Sequence, residues 1–219
     1  MKLDLLYHYD VVIFDCDGVL LDVNLLKCDA FGEAVKGYPK QTVENFVEHC
    51  KNNFGVSRYI KFKEFIDDFA KESFNEEVYD NLLKNYADKC KEIYKYADIT
   101  PGTITLLKEL KFSNKKLFVA SGSDEEELNN AFKDRKLISY FNGIFGSPKT
   151  KMECTSNILK KNPGCKAVFI GDALSDMKTA KVHGLDFIYM SKYTVQSDEQ
   201  DNSCKQEAKM VISTLEDLI

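Results

Sequence analysis

The sequence predicts an α/β protein, a doubly wound parallel sheet into which a bundle of helices is inserted, and three observations carry that prediction. Short apolar runs at Val11–Phe14, Leu117–Ala120 and Ala167–Ile170 each end on small or acidic polar residues. Four consecutive apolar residues fit a strand buried on both faces, as in parallel sheets covered by helices on each side. From about Leu25 to Tyr96 strand-like alternation is missing, and apolar residues recur at helical spacing among many charges. Outside that stretch strands alternate with helical patterns, as a doubly wound sheet requires. The expected division is an α/β core of residues 1–22 and 98–219 and a helical cap of residues 23–97.

The first strand runs into Asp15-Cys16-Asp17-Gly18 and, after Val19-Leu20-Leu21, Asp22. In such sheets ligands gather beyond the carboxyl ends of the strands, where Asp15 and Asp17 stand. Two carboxylates beside an apolar strand repel and lose hydration, so a cation is the natural third party. Mg²⁺ suits hard oxygen ligands with several waters retained. Gly18 lets the chain turn tightly away. An EF-hand loop is excluded, because Val19 and Leu20 fall where it needs a ligand and a glycine.

Within the insert, Val43, Phe46, Val47 and Cys50 form one helical face, Phe62, Phe65, Ile66 and Phe69 a second, and Val78, Leu82, Leu83, Tyr86 and Cys90 a third. Four or five helices are expected, with these stripes as bundle core. Gly55 interrupts the pattern in Gly55-Val56-Ser57-Arg58, and the guanidinium of Arg58 suits a carboxylate or phosphate. The insert ends at Asp98-Ile99-Thr100-Pro101-Gly102, where Thr100 is expected to cap a helix beginning at Pro101. The joints at Asp22–Leu25 and Asp98–Gly102 are hinge candidates.

The second apolar strand leads into Ser121-Gly122-Ser123 and the acidic helix start Asp124-Glu125-Glu126-Glu127. A hydroxyl and free backbone N–H groups there would cradle an anion. Downstream, Lys149 and Lys151 compete as the cation for that anion; Lys151 is preferred because it directly precedes a helical run from Cys154 to Leu159. The third strand ends on Gly171-Asp172, with Asp176 four residues on. Phe187–Met190 and Met210–Ile212 read as further strands, and Ser191–Glu207 as loop or short helix.

In this order the four stretches resemble the motifs of the haloacid dehalogenase-like (HAD) hydrolases, in particular the phosphoglycolate phosphatase and β-phosphoglucomutase-like branch with a helical cap. The resemblance implies a Rossmann-like core and a Mg²⁺-dependent phosphatase acting on a small phosphorylated metabolite. Asp15 would be the nucleophile that forms an aspartyl-phosphate, and Asp17 the acid and base. Mg²⁺ would be held by Asp15, Asp17 and Asp172, with Asp176 orienting the groups behind it. Ser121, Gly122 and Lys151 would bind the phosphoryl group. Gly55–Arg58 is similar to the specificity loop of β-phosphoglucomutase, which would bring Arg58 to the substrate's far end. Met152 departs from the proline usual after the motif lysine. A sugar phosphomutase is the alternative, although Lys27 stands where β-phosphoglucomutase carries a cap histidine. A non-catalytic phosphate-ligand binding protein is a third reading.

Composition bounds the rest. The chain has 219 residues, 44% hydrophobic and 30% charged, an ordinary globular balance. A net charge of -5 offers no basic field for nucleic acid. No apolar run approaches a membrane span, and Met1–His8 lacks the apolar core of a signal peptide, so a cytoplasmic protein is expected. The seven scattered cysteines read as reduced small hydrophobes.

Overall fold

The computed structural model describes residues 3–219. A short helix, α1 (Leu3–Tyr7), precedes β1 (Val11–Phe14), which is buried along its whole length. Strands β4 (Lys116–Asp124), β5 (Gly143–Ser147), β6 (Ala167–Gly171), β7 (Asp186–Met190) and β8 (Met210–Ile212) join β1 in one sheet of order β5-β4-β1-β6-β7-β8. Every pairing in it is parallel. β1 lies between β4 and β6, so the chain reverses its winding direction there and a crevice opens beyond the carboxyl ends of these three strands. The connecting helices α6 (Thr103–Phe112), α7 (Glu125–Asp134), α8 (Lys151–Lys160), α9 (Leu174–Val182) and α10 (Asp198–Glu207) complete the layers. Ser197 opens α10 by accepting from the Gln200 amide, which makes a helix of much of the polar 191–207 stretch.

Between β2 (Leu21–Asp22) and β3 (Asp98–Ile99) lie α2 (Asn24–Ala34), α3 (Lys40–Asn52), α4 (Arg58–Glu64), a π-helical turn at Phe65–Ala70 and α5 (Glu76–Tyr96). The two strands pair antiparallel, Leu21 opposite Ile99 and Asp22 opposite Asp98, so both ends of the helical segment leave through one narrow ribbon. The aromatic stripes meet inside this segment. Phe31 stacks on Tyr86 with centroids 4.0 Å apart, and Phe46 lies 4.8 Å from Phe65.

Two local expectations are corrected. The helix after β3 begins at Thr103, with Gly102 before it at φ +85, and the Thr100 hydroxyl instead binds the Val19 carbonyl and the Thr103 hydroxyl. Thr100 therefore ties β3 to the loop after β1. The second apolar strand does not stop at Ala120 either; extended backbone continues to Asp124, with a register shift against β5. Asp124 then caps α7 by accepting from the Glu126 and Glu127 amides, both at 3.0 Å. Those two helix-start donors are thus taken.

Among the described residues no helix is long and apolar enough to cross a membrane. All seven cysteines are free thiols.

Candidate active site

Three strand ends bring Asp15, Ser121 and Asp172 together, because β1, β4 and β6 are neighbours in register. Asp176 joins them from the first turn of α9. Side-chain oxygens of Asp15, Asp172 and Asp176 lie within 4.8 Å of one another, all buried. Gly18 makes this packing possible: at φ +78, a Cβ there would run into the Asp172 carboxylate and the Asn24 amide.

The oxygens of this cluster are not equivalent. Asp176 is fully engaged, one oxygen accepting from Lys151 Nζ at 2.5 Å and the other from the Asp172 and Ala173 amides at 3.2 and 3.1 Å. Asp172 Oδ2 accepts from Asn24 Nδ2 at 2.6 Å. Asp15 Oδ1 and Asp172 Oδ1 are buried without a hydrogen-bond partner. Burial pushes the carboxyls of Asp15 and Asp172 above the usual range, with neighbouring carboxylates adding to the shift and Lys151 opposing it. Two clustered carboxylates of raised pKa, each with an orphaned oxygen, fit a hard divalent cation, which would offer those oxygens a partner and restore ionisation.

Lys151 is the first residue of α8, whose start is fixed by the Thr150–Glu153 capping box. Its Nζ lies 3.1 Å from Asp15 Oδ2. Burial would pull this ammonium down, but Asp15 and Asp176 outweigh it and hold the pKa above the usual lysine value. Lys149 is half exposed and its ammonium is 3.9 Å from Glu125. Of the two lysines, Lys151 is the one that lies beside Asp15. Ser121 is buried, and Gly122 is required by a close approach, since a Cβ at Gly122 would strike the Gly55 carbonyl of the helical segment.

Asp17 was expected with the metal carboxylates, yet its side chain is not in that cluster. Oδ2 accepts from Lys27 Nζ at 2.6 Å and Ser123 Oγ at 2.7 Å, and Oδ1 accepts from the Tyr94 hydroxyl at 2.9 Å. Lys27 Nζ also reaches Ser123 Oγ at 2.5 Å and the Tyr94 hydroxyl at 2.9 Å. Burial would raise the Asp17 pKa, but Lys27 and the hydrogen bonds reverse that and hold it below the usual carboxylate value. Lys27 is raised in turn: its own burial opposes the shift and the Asp17 charge overcomes it.

Arg58 also departs from expectation. Its two Nη atoms donate to the two carboxylate oxygens of Glu127, both at 2.6 Å, and its guanidinium lies 4.6 Å from the Tyr86 ring centre. The fork that was to meet a ligand anion instead joins α4 to α7. Asn24, Lys27, Ser123 and Tyr94 are site residues that sequence reasoning missed. Two of them left a trace, Lys27 at the position of a cap histidine and Ser123 within the Ser121–Ser123 stretch, though neither was given a role.

Asp15, Asp17, Ser121, Gly122 and Arg58 line one cavity of about 20 Å³, room for a water molecule or two. Beside it, a crevice of about 360 Å³ runs past Lys151 between the Phe54–Ser57 loop and the starts of α8 and α9.

The sequence pattern of the haloacid dehalogenase-like hydrolases matches residues 12–190. The chain belongs to the haloacid dehalogenase-like hydrolase family. No curated protein matches this hydrolase in sequence. Its fold recurs in a predicted phosphatase from Clostridium acetobutylicum (22% identity, 96% of each chain covered, TM-score 0.75). It recurs too in a predicted phosphoglycolate phosphatase from Haemophilus somnus (14%, 96% of each, 0.78). CbbY from Rhodobacter sphaeroides, solved in complex with phosphate, is similar to the same degree (16%, 96% of each, 0.76). The haloacid dehalogenase-like hydrolase thus shares its whole architecture with chains of low sequence identity.

Proposed function

We propose that this hydrolase is a Mg²⁺-dependent phosphatase that cleaves the phosphate monoester of a small metabolite through an aspartyl-phosphate on Asp15. The observation that carries the reading is the pairing of a buried carboxylate, one oxygen free and the other 3.1 Å from an ammonium, with an orphaned oxygen of Asp172. A nucleophile, a fixed cation and a site for a second cation are what transfer of a dianionic phosphoryl group needs. The phosphate-bound CbbY neighbour supports phosphate as the group that enters.

Asp15 attacks phosphorus as the bond to the leaving oxygen breaks, forming the acyl phosphate. Lys151 spreads the charge of the phosphoryl oxygens, and Ser121 donates to one of them. Mg²⁺ held by Asp15 and Asp172, with Asp176 fixing Lys151 and the Asp172 backbone behind them, would neutralise charge shared between the nucleophile and the phosphoryl group. Asp17, held ionised by Lys27 in the closed arrangement, is suited to take a proton from the water that then attacks phosphorus and frees Asp15. To protonate the leaving oxygen it must first gain a proton. Lys27 and Tyr94 belong to the helical segment, so lifting that segment removes the partners that keep Asp17 ionised.

Residues 1–22 and 98–219 form the catalytic core in this reading and residues 23–97 the cap, joined through the β2–β3 ribbon. The cavity of about 20 Å³ is too small for a phosphate ester, so in this reading the cap rises to admit substrate and returns for chemistry. A single general acid or base supplies roughly 10²- to 10⁴-fold, against accelerations up to about 10²¹-fold for phosphate monoesters. Nucleophile, cations and water exclusion must therefore carry most of the effect. Lys27, which stands where β-phosphoglucomutase carries a cap histidine and is here paired with Asp17, favours a phosphatase over a mutase. The test is phosphate release from a panel of monoesters with Mg²⁺. Wild type should release phosphate and Asp15→Asn should not, at unchanged circular dichroism; equal turnover by the variant refutes the assignment.

A further inference from the structure

Among the described residues, three of the five buried side-chain oxygens without a hydrogen-bond partner belong to Asp15, Asp172 and Asn24. A cation accounts for the two carboxylates and leaves the amide unexplained. Asn24 is the first residue of α2 and only 1% exposed. Asparagine at a helix start commonly caps the helix, but Val23 holds the cap position of α2 and no side chain bonds there. The Asn24 amide is engaged elsewhere, Nδ2 donating to Asp172 Oδ2 at 2.6 Å and to the Tyr193 carbonyl at 2.8 Å. An ionised carboxylate and a carbonyl only accept, which fixes the sense of the amide: turned over, its oxygen would face two acceptors. Gly18 leaves room for the bond, since a Cβ there would run into Asp172 Oδ2 and Asn24 Nδ2 together.

A buried amide oxygen without a donor is costly, and an apolar residue at position 24 would not carry that cost. What the amide does is divide Asp172. Oδ2 is held by Asn24, so Oδ1 alone is left for a cation. Asp15 is divided in the same way, with Oδ2 3.1 Å from the Lys151 ammonium and Oδ1 free. Asp176 has neither oxygen to spare, because Lys151 takes one and the Asp172 and Ala173 amides the other. The cluster therefore offers a cation one free oxygen from each of two carboxylates. Mg²⁺ keeps several waters and is bound by one or two carboxylates, whereas Ca²⁺ takes roughly six to eight oxygens and often both of one carboxylate. The waters that Mg²⁺ retains also carry donors of the kind the Asn24 oxygen lacks.

We propose that Asn24 is a positioning residue for the cation site: by holding Asp172 Oδ2 it keeps that carboxylate to one oxygen and shifts the preference of the site from Ca²⁺ toward Mg²⁺. This inference rests on the cation that the phosphatase reading places at Asp15 and Asp172. Groups that orient a metal ligand in this way are worth about 10- to 100-fold in metal affinity. With Asn24 in α2 and Asp172 at the end of β6, the same bond ties the inserted helices to the cation site.

The test follows the melting temperature of the substrate-free protein during titration with Mg²⁺ and, separately, with Ca²⁺, each curve giving a dissociation constant. Wild type, Asn24→Leu and Asn24→Ala are compared. In Asn24→Leu the Ca²⁺ constant divided by the Mg²⁺ constant should fall about tenfold, because Asp172 then presents both oxygens. In Asn24→Ala the fall should be smaller, since a water has room to take over the bond to Oδ2. A residue that served only the seating of α2 would move both constants by one factor and leave their ratio alone. An unchanged ratio in both variants, a shift toward Mg²⁺, or failure of both variants to fold would show that Asn24 is only an anchor and overturns the inference. Binding of both cations to wild type with an unchanged ratio in the variants overturns this inference alone. Binding of neither cation to wild type overturns the cation reading beneath it as well.

Discussion

Replacing Lys27 by methionine tests the linkage between the helical segment and Asp17. Lys27 Nζ and Asp17 Oδ2 are 2.6 Å apart and both side chains are buried, so the substitution strands a carboxylate out of water. Removing one partner of such a pair costs roughly 3–5 kcal/mol. For a chain of 219 residues that is a fall in Tm of about 6 to 20 °C. The pH dependence has a defined sign. Asp17 is held below the usual carboxylate value and Lys27 above the usual ammonium value. The pair's stabilisation is therefore present between the unfolded values of about 4 and about 10.4 and is lost as pH falls through the Asp17 value or rises through that of Lys27. Without Lys27 the burial of Asp17 is opposed less, its carboxyl takes up a proton at higher pH, and the variant is relieved by mild acid. Calorimetry at pH 7.5 and pH 5 should show a large deficit that narrows in acid, and Asp17→Asn added to Lys27→Met should restore part of it. A variant within about 2 °C of wild type at pH 7.5, or a deficit independent of pH, refutes the reasoning.

Divalent cation should stabilise the ligand-free protein, by about 2.7 kcal/mol at one hundred times Kd, or about 5 to 11 °C in Tm. Asp172→Asn should abolish most of that rise, and thermal shift with and without Mg²⁺ reads it directly. Arg58→Met should cost stability toward the lower end of roughly 3–5 kcal/mol, because it strands Glu127 at the junction of α4 and α7, and Glu127→Gln in the same chain should recover part of the loss in denaturant titrations. Gly122→Ala should hinder the approach of the Gly55 carbonyl; protease sensitivity of the 53–57 loop should rise while the melting temperature changes little. In the β2–β3 ribbon, burial and the facing Asp98 raise the Asp22 pKa. Ionised Asp22 thus weakens the fold at neutral pH and protonation relieves it, so Asp98→Asn should gain less than about 1 kcal/mol at pH 7, the gain shrinking with salt and on acidification.

The sheet was legible because β1, β4 and β6 are buried on both faces and leave uninterrupted apolar runs, and the aromatic stripes of α3, the Phe65–Ala70 turn and α5 announced a bundle core. Asp15 and Asp172 stand out for a related reason, each directly beyond a strand whose end the pattern marked, whereas Lys151 opens a helix. What stayed hidden lies on helix faces turned toward the site. In α2 the apolar Leu25 and Leu26 are 67% and 51% exposed while Asn24 and Lys27 are buried. The face that looks onto the carboxylates needs donors, and hydrophobic periodicity is blind to such a face. Tyr94 is hidden in the same way, indistinguishable in sequence from a solvated or packed helix position. The pairing of Arg58 with Glu127, 69 residues on, left no mark in the sequence, because nothing in the pattern brings α4 to α7.

The most direct measurement is capture of the intermediate. The protein is mixed with a phosphate monoester labelled at phosphorus and Mg²⁺, quenched in acid within milliseconds, digested, and read by mass spectrometry. The account predicts label as an acyl phosphate on the peptide containing Asp15, released by hydroxylamine and missing from Asp15→Asn. Steady phosphate release with no labelled peptide at any quench time, together with net inversion at phosphorus when a monoester made chiral there by oxygen isotopes is hydrolysed, contradicts it; two successive displacements predict retention.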